Sequence, residues 1–87
     1  DMPFDILKLD INLIKSYQVS ERARYVIQAV ERMAHEMGLS VVAEGVETKE
    51  EFDNMRKCGV DSIQGFYFSK PLPVYEFMDF IRRHNSP

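Results

Sequence analysis

The chain has 87 residues, 45% of them hydrophobic and 29% charged, with a formal net charge of -3. That length allows at most one small domain or a piece of a larger one, and the charge excludes the basic footprint that duplex nucleic acid demands. No apolar run is long enough to span a bilayer, the N-terminus lacks a secretory signal pattern, and the single Cys58 excludes an internal disulfide.

Asp1–Asp5 is turn-like around Pro3. Ile6-Leu7-Lys8-Leu9 reads as a short strand ending near Asp10, with Lys8 a cation in an otherwise apolar run. Ile11 to Tyr17 is ambiguous: Ile11, Leu13 and Ile14 fit either a helical turn or an apolar loop over the strand ends. From Ser20 the spacing of Ala23, Val26, Ile27, Val30, Ala34 and Met37 predicts a helix with those residues inward. Ser20 caps its start and Gly38 ends it.

Leu39 to Ala43 is the second strand, and it delivers a carboxylate, Glu44, before Gly45 turns the chain. Thr48 with Glu51 three residues on is a capping box, so a helix runs from about Lys49 to Cys58, with Phe52 and Met55 inward and Gly59 as its stop. Val60 to Gln64 is the third strand. Phe66 to Leu72 reads as an aromatic, proline-containing loop, and a last helix runs from about Pro73 to about His84 with Phe77, Phe80 and Ile81 as its apolar face.

This β-α-β-α-β-α order with short connections predicts an α/β fold with parallel strands and right-handed crossovers. Each strand ends on polar groups: Lys8 with Asp10, Glu44, and Gln64. Side by side, the strands bring those groups to one sheet edge, and in barrels of parallel strands the C-terminal strand ends carry the chemistry.

Each of these residues has a plainer reading. Glu44 alone is an ordinary solvated carboxylate. Lys8 alone is an edge-strand lysine that discourages pairing, Gln64 a strand-end hydrogen bonder, and Glu47 an acid placed at a helix N-terminus. His35 and His84 read as surface histidines, Cys58 as a partly buried structural thiol, and Met33, Met37 and Met55 as core filler.

Lys8-Leu9-Asp10, Ala43-Glu44-Gly45-Val46-Glu47-Thr48 and Gln64-Gly65-Phe66-Tyr67-Phe68-Ser69-Lys70-Pro71-Leu72 together resemble the EAL domain family, the cyclic-di-GMP phosphodiesterases of bacteria. The resemblance covers essentially residues 1–87. It implies a partial TIM-like barrel of three consecutive βα units, strands six to eight with their helices, in a family whose whole barrel is much longer. It also implies hydrolysis of cyclic-di-GMP to linear pGpG by two divalent cations, Mg²⁺ or Mn²⁺, about 3.5–4 Å apart. On that resemblance Glu44 is the carboxylate at the metal–water centre, as ligand or general base. Lys8 holds or polarises the attacking water and phosphate, and Gln64 orients the water. Glu47 braces the substrate- and metal-binding loop, and Asp10 belongs to the Lys8 motif. One of the aromatics Phe66, Tyr67 and Phe68 could stack on a guanine, but closing the barrel end is the favoured role.

The Glu-Ala-Leu signature, the Asn and Glu of the middle strands and the Asp-Asp pair after strand five are absent. In the family those groups supply most metal ligands. The chain is therefore expected to be a cytoplasmic fragment of a longer protein, without a bound metal or turnover of its own, and to self-associate. The alternative is a degenerate EAL domain that binds cyclic-di-GMP or a protein without hydrolysis; a purely structural fragment is the third reading.

Overall fold

A computed structural model describes residues 5–65 and 68–85. The elements are β1 (Ile6–Leu9), α1 (Ile11–Val19), α2 (Glu21–Glu36), β2 (Ser40–Val46), α3 (Lys49–Cys58), β3 (Ser62–Gly65), β4 (Phe68–Pro73) and α4 (Val74–Asn85). The sheet order is β1-β2-β3-β4. The first three strands are parallel, and β4 pairs with β3 antiparallel.

Three elements depart from the sequence reading. Strand β2 does not turn at Gly45 but runs on through it to Val46. Ile11–Val19 is helical because Asp10 caps it, accepting a hydrogen bond from the Leu13 N–H at 3.0 Å. The segment expected to be a loop after Gln64 contains β4. Two residues separate β3 from β4, too few for the crossover a parallel pair needs, so the chain can only fold back as a hairpin. Pro71 and Pro73 are compatible with this because β4 is an edge strand. Among the described residues the sheet edges are therefore β1 and β4. Phe66 and Tyr67, and the turn expected at Asp1–Phe4, lie outside the described residues.

The core lies between the sheet and its helices. Alternation in the strands sends Leu9, Val41, Ala43 and Ile63 toward the helices, each at most 2% exposed. They meet Ile14, Ile27, Phe52, Met55 and Phe77 in one cluster. Phe77 of α4 stacks on Phe52 of α3 with ring centroids 4.9 Å apart, joining the last helix to the barrel-like layer. The caps behave as expected: Ser20 accepts from the Ala23 N–H, Thr48 from the Glu51 N–H, and Gly59 takes the left-handed conformation after α3.

The apolar stripe of α2 is wider than the sector it buries. Ile27 and Ala34 are buried, but Val26, Met33 and Met37 are exposed, contrary to the expectation that they fill the core. Helical spacing identifies a stripe without saying how much of it meets a neighbour, and among the described elements α2 packs on α1, β2 and α3 only along part of it. No helix among the described residues is long and apolar enough to cross a membrane.

Candidate active site

The opposite face of the sheet carries the polar groups. Lys8 stands beside Val42 in the β1–β2 register, and Glu44 follows Val42 on the same face. Glu44 stands directly beside Gln64 in the β2–β3 register. Three of the four residues named from the strand ends, Lys8, Glu44 and Gln64, are thus neighbours at the C-terminal end of the parallel strands. Lys8 Nζ lies 3.5 Å from Glu44 Oε2, with the Glu44 side chain one-third exposed and that of Lys8 more so.

Backbone geometry aims Glu44. The β2–β3 pairing passes from Glu44 opposite Gln64 to Val46 opposite Gly65, leaving Gly45 unopposed. Such a bulge bends its strand and redirects the adjacent side chain. Gly45 adopts φ +77°, and a Cβ there would stand 2.9 Å from Ile11 Cβ, so α1 begins against the bulge. Across from it, a Cβ on Gly65 would stand 2.0 Å from the Val46 carbonyl oxygen. Both positions require glycine for the strands to close at Glu44.

Asp10 and Glu47 flank this centre rather than joining it. The Asp10 carboxylate caps α1, a structural task the sequence reading did not assign. Glu47 is exposed beyond the end of β2, and its N–H donates to Glu51 Oε1 at 2.9 Å. Glu51, 5% exposed, therefore ties down the loop after Glu44 while its own N–H donates to Thr48 Oγ1. The capping-box spacing revealed Glu51 as a cap. That its carboxylate reaches one residue further back, to Glu47, came only from the structure.

Could these residues hold a divalent cation? Glu44 offers carboxylate oxygens and Gln64 an amide oxygen, both suited to a hard cation, whereas the Lys8 ammonium can only donate. Mg²⁺ takes about six oxygens. Among the described residues no group of three or more His, Cys, Asp or Glu side chains is placed to hold a metal. The set fits part of a metal site, not a whole one.

The remaining ionisable groups of note lie away from this edge. Burial pushes the Cys58 thiol up, and burial with the Cys58 contact raises Tyr17. A buried thiol kept neutral is structural, as expected, not a nucleophile. His35 is exposed, as expected of a surface histidine, and contacts Glu31 and Asp61.

The family model described as EAL domain matches residues 1–71. The chain belongs to the EAL domain family. This EAL chain is 37% identical over 83 residues to the cyclic di-GMP phosphodiesterase NbdA of Pseudomonas aeruginosa, covering 95% of itself and 11% of that protein. It is 37% identical over 76 residues to the cyclic di-GMP phosphodiesterase PdeL of Escherichia coli, covering 87% of itself and 21% of PdeL. Among solved structures it resembles an EAL domain protein from Listeria monocytogenes, with TM-score 0.70, 36% identity, and coverage of 97% of this chain and 32% of that one. It also resembles Klebsiella pneumoniae BlrP1 in complex with manganese and cyclic-di-GMP, with TM-score 0.67, 37% identity, and coverage of 77% and 17%. BlrP1 has likewise been solved with calcium and cyclic-di-GMP. The EAL chain thus spans a small part of each relative's length.

Proposed function

We propose that the chain supplies strands six to eight and their helices, residues 1–87, to an EAL domain that hydrolyses cyclic-di-GMP to linear pGpG with Mg²⁺ or Mn²⁺. The observation that carries this reading is Glu44 at a bulged strand end, between Lys8 at 3.5 Å and Gln64 in register. In the complete site Glu44 is the carboxylate at the reacting water, as ligand or general base. Lys8 places positive charge beside the phosphate, and Gln64 orients the water. Glu47 and Asp10 support the loops on either side. The parent acts in the cytoplasm, with or without an upstream membrane anchor.

The donor set on this chain is too small to position two cations, so the 87-residue chain by itself will not turn over cyclic-di-GMP at the rate of a whole domain. Product formation measured with Mg²⁺ or Mn²⁺ across a range of protein concentrations checks this; robust metal-dependent pGpG formation by the purified chain contradicts it. In a complete barrel containing this chain the same assay, paired with a cyclic-di-GMP binding measurement, separates enzyme from sensor. Binding without turnover establishes the non-catalytic module.

We further propose that the isolated chain forms homo-oligomers. Strands β1 and β4 are edges of the sheet, unpaired edges recruit further strands, and Ile6, Leu13, Tyr25, Val26 and Met33 are exposed. Small domains also bury a low fraction of their surface. Light scattering at micromolar concentration should give a mass above 10.2 kDa. A strictly monomeric species that unfolds cooperatively is the contrary result.

A further inference from the structure

The end of the sheet opposite Glu44 holds a cluster with no part in the proposed chemistry. His35, in the last turn of α2, lies between two carboxylates: Nδ1 is 2.5 Å from Glu31 Oε1, and Nε2 is 2.7 Å from Asp61 Oδ2. A neutral imidazole carries one N–H and one bare lone pair. One of the two contacts would then set lone pair against carboxylate. Both are satisfied only when the ring is protonated.

Asp61 passes the contact on to the sheet. The same Oδ2 accepts the Val41 N–H at 2.7 Å, and the Asp61 N–H donates to the Val41 carbonyl at 2.8 Å. This pair holds Asp61 opposite Val41 where β3 begins. Three residues further along each strand, Glu44 stands opposite Gln64. The Asp61 carbonyl also accepts the Val74 N–H, so α4 starts from the same point.

We propose that protonated His35, held by Glu31 and Asp61, is a positioning lock: it anchors Asp61 on the Val41 main chain and thereby sets the strand offset that brings Gln64 beside Glu44. Loss of the proton releases the His35–Asp61 contact and loosens the junction of α2, β2 and β3. The groups facing the ring are Glu31 from its own helix and Asp61 from the approach to β3. On α3, Cys58 feels Glu31, but its thiol is pushed up and stays neutral. The hydrogen bond to Asp61 raises the His35 pKa above 6.5, against a smaller opposing effect of burial. A folded-state pKa above the unfolded one gives stability that is complete below 6.5 and lost as pH rises through the folded value. The lock is closed in acid and opens toward alkaline pH.

The test needs no turnover, so it stands or falls separately from the proposed activity. The His35 ring and the Val41, Asp61 and Gln64 amides are followed by NMR in the 87-residue chain from about pH 5.5 to about pH 9. The His35 signals are assigned by their survival in His84→Gln. The ring should titrate above the free-histidine value, and the Val41 and Gln64 amides should shift with the same midpoint. In Asp61→Asn the amide oxygen still accepts from Val41 but forms no ion pair with the ring. Stability should then depend less on pH through this window, since only Glu31 still faces the ring, and should lose the histidine-linked dependence altogether in His35→Gln. A His35 midpoint at or below the free value overturns the proposal, as do Val41 and Gln64 amides that stay fixed while the ring titrates. Undiminished pH dependence in Asp61→Asn does the same. Should either variant fail to fold, the wild-type titration alone decides.

Discussion

Glu44→Ala, in a complete barrel containing this chain, is expected to reduce cyclic-di-GMP turnover by at least about 10²–10⁴-fold, the range for losing a positioned acid–base group, while leaving the fold intact. The two halves of this expectation rest on different observations. The loss of turnover is expected on the proposed role of Glu44, the carboxylate that the bulge aims between Lys8 and Gln64. Stability does not depend on Glu44, because its side chain is one-third exposed and its partner Lys8 more so, and such exposed pairs contribute only about 0–1 kcal/mol. Steady-state kinetics and thermal melts on the same samples check both halves. A fully active Glu44→Ala barrel shows that the site carboxylate is elsewhere; an unfolded one shows that the residue was structural.

The second large effect is on folding. Gly65→Ala should prevent the β2–β3 pairing, costing about 4 kcal/mol or more, at the exceptional end for single substitutions. The added Cβ would sit 2.0 Å from the Val46 carbonyl oxygen and 2.7 Å from the Val46 nitrogen. Those are main-chain atoms of a paired strand, so no side-chain rotation relieves the clash. Gly38→Ala is the control. It also has a positive φ, +82°, but a Cβ there meets nothing within 4 Å, so only the backbone penalty of about 1–2 kcal/mol remains. Denaturant melts of the two variants should differ widely. Equal losses would mean that backbone conformation, not the approach of Val46, makes Gly65 necessary.

Local signals in the sequence determined most of the elements. The caps at Ser20 and Thr48, the stop at Gly59 and the apolar runs Ile6–Leu9 and Val41–Ala43 each depend on residues a few positions apart, and their outcomes match. Taking the strands as parallel neighbours sufficed to bring Lys8, Glu44 and Gln64 to one sheet edge. The three motifs together are specific enough to imply the EAL family from the sequence alone.

Tertiary structure decided what depends on distant partners. Residue spacing could not say that β4 folds back on β3, although a two-residue connection leaves no other way to pair. The α2 stripe in the sequence includes Val26 and Met37, which the packing leaves exposed, because burial is set by which neighbours arrive and not by the helix itself. His35 stands 26 residues before Asp61, with nothing local to mark the pair. Asp61 in turn meets Val41 across the sheet, and Glu51 reaches back past its cap to Glu47. Caps, turns and alternation are short-range steric and hydrogen-bonding choices, so they can be read along the chain. Register, the extent of burial and the pairing of charges across elements arise only when the sheet and helices close on one another.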